Sequence, residues 1–187
     1  SEKFFKILAD YTDVVEPKSL DEACLDMSSV TTWQYAERVA QEIRTRVHKE
    51  LGLPVSIGIG TSKSVAKITS DYAKPNGWFA VHPGLERAFL APLPIAMMPG
   101  IGRQTQRRLR AYNVHSIGQL AELPTQTILH IFGWRGTILQ DRARGIDDRS
   151  VRSAERPVHS VGHARTFERD VTSAPLLLGT ASYLLEK

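Results

Sequence analysis

The apolar residues of the first 81 positions switch repeatedly between a helical period and a two-residue period, and few folds accept that order. Phe4, Phe5 and Leu8 are spaced as on a helix, so Ser1 to Ala9 reads as the last turns of an amphipathic helix. Tyr11 to Glu16 reads extended, Pro17-Lys18-Ser19 as a turn and Ala23 to Met27 as a second strand, which puts Asp21-Glu22 near the tip of a hairpin. Thr31 or Thr32 can cap a long helix to about Leu51 with Ala36, Val39, Ala40, Ile43 and Val47 on one face. Pro54 to Gly60 then alternates Val55, Ile57 and Ile59 as a buried strand. Ser62 caps a helix through about Ala73, and Lys74-Pro75-Asn76-Gly77 stops it before a short strand at Trp78 to Val81. The expected product is an α+β layer, a mostly antiparallel sheet with helices on one face.

At His82-Pro83-Gly84 the texture changes to short helices punctuated by Gly and Pro, roughly to Gly145. The predicted organisation is a first domain over 1–81, a small all-helical one over 82–146, a linker over 147–157 and the start of an α+β domain over 158–187. Asp147 to Pro157 is polar and aperiodic, Val158 to Phe167 alternates as a strand, and Pro175 to Glu186 reads as a helix. A length of 187 residues suits one large or two small domains. The opening Ser1-Glu2-Lys3-Phe4-Phe5 has neither an initiator Met nor a signal peptide, so the chain is expected to be cut from something longer.

No run approaches the roughly 18 apolar residues of a membrane span, so no membrane partner is expected. Cys24 is the only cysteine, which excludes an internal disulfide or a Cys-cluster zinc site and fits a reducing compartment, cytoplasm or nucleoid. The formal charge of +4 is unevenly spread. Residues 100–170 hold twelve Arg and no Lys against seven acids, whereas residues 1–99 hold eleven Lys or Arg against twelve acids. Arginine's planar fork suits phosphate, so nucleic acid is the first candidate partner of the second half. A solvated basic surface is the alternative.

Asp21 and Glu22 stand just after a turn. Adjacent residues of a regular strand face opposite ways, so the pair can converge only where the backbone is still turning. Two hard carboxylates there can hold Mg²⁺, which prefers one or two carboxylates plus substrate phosphate oxygens. An exposed turn pair with no ligand is the competing reading. Farther on, Pro99-Gly100-Ile101-Gly102 precedes a helix carrying Arg103, Arg107, Arg108 and Arg110. Glycine lets backbone approach a phosphate, and the amides of a helix start point positive dipoles at it. A structural Pro-Gly turn is the alternative.

Val15-Glu16-Pro17-Lys18-Ser19-Leu20-Asp21-Glu22-Ala23-Cys24-Leu25-Asp26 resembles the catalytic hairpin of Y-family DNA polymerases. Ile57 to Lys67 and Ser70-Asp71-Tyr72-Ala73-Lys74-Pro75-Asn76-Gly77 resemble the next palm block, with the DinB branch most similar. Met98 to Gly102, Arg142-Ala143-Arg144-Gly145-Ile146-Asp147 and Ser160 to Phe167 follow in the family's order, so the resemblance covers essentially the whole chain.

The resemblance implies a partial palm, a thumb with a helix-hairpin-helix and the start of a little finger. It implies a lesion-bypass polymerase acting by two-metal nucleotidyl transfer with Mg²⁺, on primer-template DNA and a deoxynucleoside triphosphate. By motif, Asp21 and Glu22 are the catalytic and metal-binding carboxylates, and Lys74 is the triphosphate-binding lysine, whose bland alternative is a solvated lysine before a turn. The resemblance further implies that Pro99, Gly100, Ile101, Gly102, Arg103 and Arg107 hold the DNA backbone and that Ala96 and Ile101 can offer carbonyls to a metal. Lys63 and Lys67 are either DNA-backbone contacts or surface charges. Trp134 is expected to pack in or at the edge of the core rather than to serve as a base-stacking platform. Cys24 stands where the family has an aromatic residue and is expected to pack as a small hydrophobe. The family's first metal aspartate, its steric gate and its fingers lie upstream of Ser1, so the chain alone is expected to be inactive. A monomer is expected, with a sliding clamp as a family-level partner. The competing class is a non-catalytic DNA-binding or recruiting protein that keeps the fold; a helix-hairpin-helix nuclease would explain the thumb and leave the palm blocks unexplained.

Overall fold

The computed structural model describes residues 2–29, 32–153 and 162–186. They form one compact unit through Ser153 and a second among 162–186.

The first unit opens with α1 (Glu2–Ala9), which buries Ile7 and Leu8. The hairpin follows as β1 (Val15–Pro17) and β2 (Ala23–Leu25), antiparallel with Glu16 opposite Cys24. Helix α2 (Trp33–Leu51) starts where the Thr32 hydroxyl accepts the Tyr35 amide. It stops at Gly52, whose φ of 69° is the left-handed cap that glycine tolerates best. Its buried residues are the five of the predicted face, Ala36, Val39, Ala40, Ile43 and Val47. Ile7, Leu8, Val39, Ile43 and Val47 form one core, with Val15, Ala23, Leu25, Val55 and Ile57 packed at its edge.

The strands are more divided than the expected single sheet. The second pair is β3 (Ile57–Ile59) and β4 (Trp78–Ala80), parallel, with Ile57 opposite Trp78. A parallel pair needs a crossover, and α3 (Lys63–Tyr72) supplies it. Among the described residues the strands make two two-stranded sheets, within the mixed helix-and-sheet class that was expected. The strand predicted as buried over Pro54 to Gly60 is short, and Val55, Ile57 and Ile59 are only half-buried because they border an open cavity. Gly58 is what lets α3 lie on β3: a Cβ there would fall inside contact distance of the Ala66 carbonyl and the Ser70 amide, both backbone.

After β4 come α4 (Glu86–Leu90), a 3₁₀ turn (Ile95–Met97), α5 (Arg103–Arg110), α6 (Ile117–Glu122), α7 (Thr125–Phe132) and α8 (Trp134–Ala143). Their core of Leu90, Met98, Leu109, Ile117, Leu120 and Ile128 extends to Val65 and Ile68 of α3, so one helix stitches the strand layer to the helical part. Each such side chain stabilises by roughly 1.5–3 kcal/mol on burial. Ser116 and Gln119 form a reciprocal capping box on α6. The buried Gln140 amide donates to the Leu123 carbonyl at 2.5 Å.

Residues 147–153, expected as part of a linker, carry no helix or strand but are tied down by hydrogen bonds described below. Of the strand expected over Val158 to Phe167, positions 158–161 lie outside the described residues, and 162–167 contain no strand. The predicted last helix is present as α9 (Ala174–Leu185), and none of its residues is buried.

Candidate functional site

The hairpin tip is closed by the amides of Lys18 and Ser19, which both donate to the Glu22 carbonyl, at 2.8 and 3.3 Å. That closure leaves Asp21 and Glu22 exposed at the point where the chain turns into β2. The Asp21 carboxylate accepts the Ser19 hydroxyl at 2.5 Å, and Glu22 accepts the Lys67 ammonium at 2.6 Å. Lys67 lies 3.4 Å from Asp71, and Asp71 also holds Lys74 at 2.6 Å. Glu22, Lys67, Asp71 and Lys74 therefore form an alternating chain of charge along α3. Burial alone would raise the Asp71 carboxyl, but Lys74 and Lys67 hold it below its ordinary value. Burial alone would lower Lys67, and Glu22 with Asp71 raises it instead.

Asp21, Glu22, Lys67 and Lys74 all line one cavity of about 1500 Å³, which residues of the hairpin, α2, β3, α3 and 147–151 also line. Among the described residues no group of three or more His, Cys, Asp or Glu gathers as a metal cage. What the tip offers is two exposed, hard carboxylates, a set that fits Mg²⁺ completed by water and phosphate oxygens.

Behind the tip lies a buried polar clamp. Glu16, 4% exposed, accepts from Lys18, from Lys63 and, at 3.0 Å, from the Arg152 amide. Burial alone would push its carboxyl up, but the two ammoniums and the amide hold it at about 2. Lys63 also donates to the Ser150 carbonyl at 2.8 Å, and its side chain is 9% exposed. Lys63 is thus neither of the two things expected of it, a DNA-backbone contact or a surface charge, because the buried Glu16 carboxylate draws it inward. Asp147 accepts the Ser64 amide at 3.1 Å and its hydroxyl at 2.6 Å, and it receives Arg149 side-on, Nε and Nη2 both at 2.7 Å. Burial would raise this carboxyl, but Arg149 and Ser64 hold it far below the usual carboxylate range.

Sequence reasoning assigned no role to Glu16, Asp71, Asp147 or Arg149. The one available signal was the acid that ends the extended segment Tyr11 to Glu16. Cys24 is half-buried as expected, and burial pushes its thiol up.

In the helical part Gly100 has a φ of 89°, Ile101 is buried and Gly102 is the N-cap of α5. Arg103 and Arg107, four apart and exposed, follow on one face of that helix, behind the half-buried Pro99. Arg108 is occupied otherwise: it donates to the Ile131 carbonyl and lies 5.2 Å over the Phe132 ring, packing α5 on α7. The Ile101 carbonyl accepts Gln106 at 3.3 Å, while Ala96 is exposed on the 3₁₀ turn. Trp134 is 67% exposed, contrary to the packing in or at the edge of the core that was expected. It lies two residues before Gly136, on the far side of α8 from the buried face of Gly136, Gln140 and Ala143.

The family model described as the impB/mucB/samB family matches residues 1–71, and that of the IMS family HHH motif matches residues 85–114. A DNA polymerase IV of Dehalococcoides mccartyi is 40% identical over 188 aligned residues, covering 100% of this chain and 48% of that protein. A Y-family DNA polymerase chimera superposes with a TM-score of 0.76 at 26% identity, over 83% of this chain and 46% of that one. A structure described as an insertion ternary complex of Dbh DNA polymerase gives 0.74 at 25% identity, over 80% and 44%. The chain spans about half the length of the curated relatives it matches. Matched by family models on both sides of β4 and aligned end to end with a DNA polymerase IV, the chain belongs to the impB/mucB/samB family, the Y-family DNA polymerases.

Proposed function

We propose that this chain is part of a template-directed, lesion-bypass DNA polymerase that joins a deoxynucleoside triphosphate to a primer 3′ hydroxyl. The observation that carries the reading is the placement of Asp21 and Glu22 at a hairpin tip, on the cavity that Lys67 and Lys74 also line. Residues 1–81 serve as palm, 82–146 as thumb, 147–157 as linker and 158–187 as the start of a little finger. Asp21 and Glu22 would hold Mg²⁺, with a further carboxylate from elsewhere in the polymerase. Bound Mg²⁺ would neutralise triphosphate charge and lower the pKa of the attacking hydroxyl. Lys67 keeps Glu22 neutralised until a cation takes that place. Lys74, more than half exposed and reaching Asp71 only across the surface, is placed to bind a triphosphate instead. Pro99, Gly100, Ile101 and Gly102 bring backbone close to a DNA phosphate, and Arg103 and Arg107 add charge-assisted contacts that ignore base identity. In a bacterial cell such an enzyme would work on chromosomal DNA in the cytoplasm, at the nucleoid, as a monomer that a sliding clamp can recruit.

The test grafts this chain into the matching half of the Dehalococcoides mccartyi DNA polymerase IV. The graft should extend a primer with Mg²⁺, and Asp21→Ala or Glu22→Ala should lower extension by orders of magnitude while duplex affinity stays within a few fold. Normal extension by Asp21→Ala removes the catalytic assignment and leaves a DNA-binding protein with the polymerase fold.

A further inference from the structure

The segment Asp147 to Arg152 has no regular structure, yet it is held at both ends by buried groups. At its start Asp147, whose side chain is 3% exposed, sits on the Ser64 amide and hydroxyl in the first turn of α3. At its end the Ser150 carbonyl and the Arg152 amide are held by Lys63 and Glu16. Between these anchors Arg149 is 51% exposed and lines the same cavity as Asp21 and Glu22.

The way Arg149 is held sets it apart from the exposed ion pairs. Arg87 with Glu122, and Arg46 with Glu50, join partners that are both substantially exposed, the kind of pair that contributes little and wanders. Arg149 lies flat against a buried carboxylate that is itself fixed to α3. Nε and one Nη2 hydrogen are committed to Asp147, and Ser64 lies 3.4 Å from Nη2. The Nη1 edge of the fork points away from that carboxylate and keeps its donors. Ser64 precedes Lys67, the partner of Glu22, by three residues, a rise of about 4.5 Å along α3. Within the clamp Lys18, Lys63 and Arg149 face Glu16 and Asp147, and of the three cations Arg149 is the most exposed.

We infer that Arg149, oriented by Asp147 and by the clamped segment around it, is a phosphate-binding arm that grips a phosphodiester of the DNA strand whose 3′ end reaches Asp21 and Glu22. The inference rests on the polymerase reading above. A preoriented guanidinium loses little entropy on binding and presents the planar geometry that a phosphate's oxygens match.

The experiment uses this chain and a fluorescent primer-template duplex, with Kd measured by anisotropy across a KCl series. Arg149→Gln should flatten the plot of log affinity against log salt by about 0.9, one phosphate contact, and weaken binding about fivefold near 0.1 M salt. Hydroxyl-radical protection should disappear at the phosphates beside the primer 3′ end and persist elsewhere. Arg149→Lys keeps the charge and loses the fork, so it should keep the slope and still bind more weakly. Arg103→Gln, in the helical part, serves as the reference. If Arg103→Gln flattens the salt plot while Arg149→Gln keeps parental slope and affinity, Arg149 is only a neighbour of Asp147 and this inference fails alone. If parental affinity does not respond to salt, the polymerase reading fails with it. Should Arg149→Gln lower the thermal midpoint by more than about 5 °C, Arg149→Lys decides: affinity equal to the parent overturns the inference, and weaker binding at an unchanged slope upholds it.

Discussion

Replacing Gly58 with Ala puts one methyl group between β3 and α3, and the structure shows what that methyl meets. The Ala66 carbonyl and the Ser70 amide lie inside contact distance of the new Cβ, and the Thr69 carbonyl carbon is 2.8 Å away. Carbon atoms settle at about 3.5–4.0 Å, and all three obstacles are backbone, so no side-chain rotation relieves the overlap. The helix must retreat on the order of 1 Å. Its far face holds Val65 and Ile68, both 0% exposed, so the retreat is pressed into the core shared with the helical part. Overpacking costs about 1–3 kcal/mol, and a purely backbone clash belongs at the upper end, about 3 kcal/mol. For a unit of this size that is a fall in thermal midpoint of about 6–12 °C. Urea unfolding followed by the fluorescence of Trp33 and Trp78, which flank this layer, measures it. Gly162→Ala, where an added Cβ meets nothing within 4 Å, is the control and should stay within about 0.5 kcal/mol of the parent. A Gly58→Ala protein as stable as that control would refute the close-approach argument.

Lys74→Ala in the grafted polymerase should raise the apparent KM for nucleotide about tenfold while primer-template Kd stays within twofold; an unchanged KM returns Lys74 to an ordinary surface lysine. Arg103→Gln with Arg107→Gln should lower the salt slope of DNA binding by about 1.8, two phosphate contacts, and an unchanged slope would leave the α5 arginines without a DNA role. Glu16, held at about 2 against an ordinary 4.5, contributes stability that is present above pH 4.5 and is lost as the pH falls toward 2. Glu16→Gln should therefore flatten that acid limb in pH-dependent urea melts, and an unaltered limb would show that the clamp carboxylate is not what titrates there.

Local features of this protein were legible without coordinates. The face of α2, its Thr32 start, the Ser62 start of α3, the hairpin tip at Asp21-Glu22 and the switch to short helices after β4 all follow from apolar period, capping residues and Pro-Gly stops. Asp21, Glu22 and Lys74 became candidates only through the resemblance of the motifs around them, because the turns beside them mark no more than solvated polar residues. Trp134 was misplaced because residues 134–143 of α8 bury only Gly136, Gln140 and Ala143, a stripe too weakly apolar for its phase to be read. The strand expected to be buried over Val55, Ile57 and Ile59 has an alternation that names a face without saying what covers it.

Strand partnering and the polar clamp belong to the tertiary structure alone. Nothing local makes β3 and β4 a parallel pair; the crossover by α3 and the vacancy at Gly58 do. Ser64 and Asp147 are 83 residues apart, and Glu16 and Arg152 are 136 apart. Each of these groups, read in its own neighbourhood, is a solvated polar residue. A buried carboxylate persists only where donors converge on it from several directions, and that convergence exists once the chain has brought β1, α3 and residues 147–152 together. Period and capping are properties of neighbours along the chain, so sequence determined the elements and the turn that carries the carboxylates, whereas the charge arrangement around them was decided by folding.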